Sequence, residues 1–84
     1  MNSGQRKTLA AIFSNPTPKA LAWDDLVSLL LALECDMEKD GGSHFAFRRN
    51  NKKIDFHRPH PGKEIKPYQV RDAKNFLINI GVTP

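Results

Sequence analysis

A chain of 84 residues encloses one modest core, which excludes a second domain. With 39% hydrophobic and 26% charged residues the composition is that of a folded globule, and the longest apolar stretch, Leu29 to Leu33, is too short to span a membrane. The formal net charge of +4 is unevenly divided: residues 1–42 carry four Lys/Arg against six Asp/Glu, residues 43–84 nine against three. A surface so charged attracts polyanions such as nucleic acid.

A first helix is expected after Ser3, with Leu9, Ile12 and Phe13 at helical spacing, ending before Asn15-Pro16-Thr17-Pro18. The block from Leu9 to Phe13 after Arg6 and Lys7 is too short for a secretory signal, so the expected compartment is the cytoplasm. Residues 1–22 therefore read as a helical extension and Pro-rich linker, and residues 23–84 as the main unit of a single globular domain. A second helix opens near Trp23, with Asp24 and Asp25 favouring the positive end of its dipole. Its buried stripe is Trp23, Leu26, Val27, Leu30 and Leu33. The lone Cys35 cannot form an internal disulfide and reads as a small buried apolar residue in a reducing compartment. Cys35 to Lys39 is expected as a short strand before Asp40-Gly41-Gly42.

Two alternating runs between Ser43 and Arg58 flank Asn50-Asn51, a pair that tolerates the positive φ of a two-residue hairpin turn. Counting outward from that turn pairs Phe45 with Phe56 and Phe47 with Ile54 on an apolar face. The other face pairs His44 with His57, Ala46 with Asp55 and Arg48 with Lys53. A slip of one residue would put the phenylalanines in water. A last helix begins at Pro67 and closes at Gly81, with Val70, Ala73, Leu77 and Ile80 inward. The predicted class is α+β: a three-stranded antiparallel sheet with helices packed on one face, plus an extra N-terminal helix.

The polar hairpin face carries the chemistry. Arg48 opposite Lys53 weakens a sheet, a cost that a bound anion would offset. His44 can give or take a proton near neutral pH. A proton carrier beside phosphate-binding cations suits RNA cleavage, in which the ribose 2′-hydroxyl attacks the adjacent phosphorus and the charged transition state is stabilised. His44 is the catalytic candidate, as base or as acid, with His57 and His60 as auxiliaries. Arg48, Lys53, Arg58, Lys63, Arg71 and Lys74 are the candidates to hold phosphates. The basic half has no paired carboxylates for a two-metal mechanism, and the His57-x-x-His60 spacing lacks further zinc ligands, so neither metal nor cofactor is expected.

Gly42-Ser43-His44-Phe45-Ala46-Phe47, the strand ending His57-Arg58-Pro59-His60-Pro61, then Lys63-Glu64-Ile65-Lys66 and a terminal helix ending at Gly81 together resemble the HicA family of toxins. The resemblance covers roughly residues 23 to 83. It implies a double-stranded-RNA-binding-like fold, cleavage of messenger RNA without a required metal, and neutralisation by a HicB antitoxin. It also implies that the essential histidine is His44. One departure is the acidic stretch Cys35 to Asp40, where the family commonly carries a glycine, an aromatic and a basic residue; it bears on the first strand's share of the RNA surface. Two other readings remain from the residues: a non-catalytic double-stranded-RNA-binding module, and an interaction domain whose basic face receives an acidic protein.

Overall fold

The computed structural model describes residues 1–59 and 62–84. Three helices lie over one face of a small antiparallel sheet. Helix α1 (Ser3–Ile12) begins one residue before the sequence suggests, because Asn2 caps it. The Gln5 amide donates to Asn2 Oδ1 at 2.8 Å while the Asn2 amide donates to Gln5 Oε1 at 2.9 Å, satisfying two otherwise unpaired helix donors. Leu9 and Ile12 are buried in the same core as the rest of the chain, so α1 is packed in and not a loose extension.

The segment after the prolines ends in β1 (Leu21–Ala22), which pairs with β5 (Glu64–Ile65) as a separate two-stranded ladder. Neither strand was expected, since two residues are too few to display a period. The Trp23 amide donates to the Lys63 carbonyl at 2.8 Å, tying the start of α2 (Trp23–Ala32) to this ladder. In α2 the buried residues are Trp23, Leu26, Leu29 and Leu30, while Val27 and Leu33 are only partly covered. The α2 stripe is thus shifted toward Leu29 from the one read off the sequence.

Helix α2 ends in a Schellman turn: the Glu34 and Cys35 amides donate to the Leu31 and Leu30 carbonyls, and Glu34 takes a φ of +63°. Cys35 is buried, and burial pushes its thiol above the ordinary 9.0, Arg49 opposing and Asp36 adding to the shift.

The main sheet runs in the order β2 (Asp36–Asp40), β3 (His44–Arg49), β4 (Lys52–His57), all antiparallel. Asn50 and Asn51 both have positive φ, at 53° and 62°, and the register is the one counted from the sequence. Phe45, Phe47, Ile54 and Phe56 are buried. Trp23 meets Phe45, Phe47 and Phe56 edge-on at ring separations of 5.3, 6.4 and 5.8 Å, so one α2 residue anchors both hairpin strands.

Helix α3 (Pro67–Asn79) starts with Pro67, and Gly81 (φ +82°) and Val82 close it by donating to Ile78 and Leu77 carbonyls. Its buried Gln69 reaches His57 O at 3.4 Å, joining the helix start to the end of β4. Residues 23–80 thus run helix, three antiparallel strands, helix, in an α+β arrangement like that of double-stranded-RNA-binding domains. Among the described residues no helix is long and apolar enough to cross a membrane.

Candidate active site on the open sheet face

The face of the sheet turned away from the helices carries three short columns of side chains. From the strand register, β2 contributes Asp36, Glu38 and Asp40; β3 contributes Arg48, Ala46 and His44; β4 contributes Lys53, Asp55 and His57. Ala46 stands at the centre. Its lack of a longer side chain lets its neighbours lean across it, and it is only 3% exposed although it stands on the face turned away from the helices.

His44 and His57 are cross-strand partners at one end of the face, with ring centroids 5.5 Å apart and planes tilted by 45°. Past them, the Arg58 amide donates to Ser43 O at 2.7 Å, so the ladder continues one step and holds both histidine backbones firmly. Diagonally, His44 Nε2 lies 2.9 Å from Asp55 Oδ1. The His44 side chain is 31% exposed and that of Asp55 47%, so both are open to a ligand.

The cations of this face are compensated from within. Arg48 Nε lies 3.2 Å from Glu38 Oε1, and Lys53 Nζ lies 3.4 Å from Asp55 Oδ1. The offset that the sequence argument assigned to a bound anion is therefore supplied in part by two carboxylates. Both ion pairs are largely exposed, and such pairs hold their partners weakly enough to exchange for phosphate.

Arg58 and Lys63 stand beyond the histidines and help line a cleft of about 450 Å³, with Ser43, Asp24 and the buried Trp23 among its other walls. Arg71 and Lys74 are not brought to this site. They project from α3 in the helical layer, and Lys74 Nζ sits 5.8 Å from the centre of the Phe13 ring, where its charge faces the π-cloud. His60 lies outside the described residues. Among those described, no group of three or more His, Cys, Asp or Glu side chains is placed to hold a metal ion.

The sequence reading placed Asp55 opposite Ala46 and noted the acidic stretch before the hairpin, but gave neither a role in pairing with His44 or the cations of this face. Both had a signal. Asp55 faces Ala46 in the predicted register and so shares the face of His44, one diagonal step away. The alternation Asp36, Glu38, Asp40 likewise puts three carboxylates on one side of a strand.

Comparison with protein families gives a match over residues 23–81 to the family described as the HicA toxin of bacterial toxin-antitoxin systems. The chain belongs to this family. No curated protein and no solved structure matched. The HicA match begins at Trp23, the residue that anchors the hairpin, and leaves α1 and β1 outside it. As a HicA-family toxin the protein acts within a toxin-antitoxin pair and has an antitoxin as its partner.

Proposed function

We propose that this toxin is a metal-independent endoribonuclease that cleaves messenger RNA in the cytoplasm on the open face of its sheet, and that a HicB-type antitoxin silences it by covering that face. The observation that carries this reading is the pair of opposed imidazoles, His44 and His57, at 5.5 Å on an uncovered surface flanked by cations. Two imidazoles can serve the two proton transfers of RNA transesterification, one removing a proton and one supplying it. The 2′-oxygen loses its proton and bonds to phosphorus, the bond from phosphorus to the 5′-oxygen breaks, and that oxygen takes up a proton. The products are a 2′,3′-cyclic phosphate and a 5′-hydroxyl end.

Arg48 and Lys53 on one side, with Arg58 and Lys63 on the other, would hold the phosphates along the strand. Such contacts position the backbone and carry little base information. Arg71 and Lys74 stand off this path.

The test is incubation of purified protein and its His44→Ala variant with RNA, with and without chelator. Cleavage that is lost on substitution and indifferent to chelator supports the ribonuclease. Binding without cleavage by either protein, weakening steeply with salt, would make it a binding module instead.

A further inference from the structure

Asp55 makes the shortest side-chain contact on the open face, at 2.9 Å to His44 Nε2, yet the reaction above gives it no part. We propose that Asp55 is the positioning residue for His44 and commits it to the role of general base, leaving His57 as the acid; this rests on the ribonuclease reading.

An ionised carboxylate only accepts hydrogen bonds. At 2.9 Å from Asp55 Oδ1, His44 Nε2 therefore carries a proton, and the lone pair of the neutral ring is on Nδ1. That nitrogen is the one able to take the 2′-hydroxyl proton. Once it has done so, the imidazolium charge lies beside a carboxylate already in place, and no group has to move to stabilise it. Among the described residues no carboxylate lies within ion-pairing distance of His57, so neither of its ring nitrogens is committed in this way and His57 is left to donate to the 5′-oxygen.

A carboxylate on an RNA-binding face needs a counterweight, and Lys53 Nζ supplies it at 3.4 Å from the same oxygen. Ala46 keeps the diagonal clear, since it stands opposite Asp55 and beside His44 on the central strand. In the full step the O2′–H proton passes to His44 Nδ1 and the O2′–P bond forms. The P–O5′ bond breaks, and O5′ receives its proton from His57. Water then restores both rings.

The experiment uses the full chain with His44→Ala, His57→Ala, Asp55→Ala and Asp55→Asn variants. The substrates are an RNA oligonucleotide and its analogue with sulfur replacing the 5′-oxygen at the linkage that the wild type cuts. Sulfur leaves without needing a proton. Asp55→Ala is expected to lose about ten- to a hundredfold in kcat with KM changed less than about twofold. Asp55→Asn, which still accepts from Nε2 but carries no charge, should recover part of the loss. On the sulfur substrate His57→Ala should return close to wild-type rate, while His44→Ala and Asp55→Ala stay slow. Nitrogen-15 NMR of the free protein should place the neutral His44 proton on Nε2, a readout that depends on no RNA.

Rescue of His44→Ala by sulfur, an unchanged kcat for Asp55→Ala, or a proton found on Nδ1 would each overturn the inference alone. A wild type that cuts neither substrate overturns the ribonuclease reading and this inference with it.

Discussion

Asn50 and Asn51 set the register that brings His44 opposite His57, so opposite perturbations of the two neighbours test the site's foundation. Both residues have left-handed backbones, at φ 53° and 62°. A residue with an ordinary Cβ is disfavoured there by about 1–2 kcal/mol, a cost that asparagine partly escapes. Asn50 also donates from Nδ2 to the Ile80 carbonyl at 3.3 Å, a bond worth about 0.5–1 kcal/mol net. Asn50→Ala meets that strain in full and loses the bond, together at most about 1.5–3 kcal/mol out of a total of about 4–13 kcal/mol for a domain of this size. At about 4–8 °C per kcal/mol, Tm should fall by about 6–24 °C in thermal unfolding followed by circular dichroism. Asn51→Gly should move the other way, by about 0.5 kcal/mol, because asparagine-glycine is the preferred pair for this turn. Two shifts of the same sign, or none, would refute the left-handed turn and with it the pairing of the histidines.

Glu34 occupies a left-handed position at the end of α2 where glycine is favoured, so Glu34→Gly should raise stability by about 0.5–1 kcal/mol, read as a higher midpoint in urea. Cys35 should react slowly with a thiol reagent in the native protein and rapidly once denaturant exposes it. Its thiol is raised in the folded state, so its contribution to stability is complete below the ordinary 9.0 and fades as pH climbs through the folded value; urea midpoints across alkaline pH will show the decline. For RNA binding, Arg58→Ala or Lys63→Ala should each reduce the slope of log affinity against log salt by about 0.7, whereas Arg71→Ala should leave it unchanged.

What was legible in the sequence followed from periods. Phe45, Phe47, Ile54 and Phe56 alternate with polar residues, so the hairpin could be counted residue by residue, and its observed register agrees at every pair. The last helix announced both ends, through Pro67 and Gly81. The ladder of Leu21–Ala22 with Glu64–Ile65 was invisible because its partners are far apart in the chain and too short to alternate. In α2 the run Leu29 to Leu33 is apolar throughout, so composition alone did not single out Leu29 as buried. At the site, charge was read as a total for each half of the chain. That concealed the arrangement across strands, where Glu38 from the acidic half meets Arg48 from the basic half.

This meeting bears on how RNA can lie on the toxin. Asp36, Glu38 and Asp40 line one edge of the open face, and a phosphate backbone laid over them would be repelled unless their cations stayed in place. Arg48 is paired with Glu38 at that acidic edge and would reach a phosphate from the border of the path, while Lys53, Arg58 and Lys63 lie on the side of β4 or beyond it. The favourable path therefore runs along the β4 side, past His57 and toward the cleft between Ser43 and Lys63, with the acidic column as its border. His44 stands at the boundary between the two regions. Its carboxylate partner and the opposing imidazole both come from β4, so the strand nearest the phosphates also supplies the groups that orient and complement the histidine.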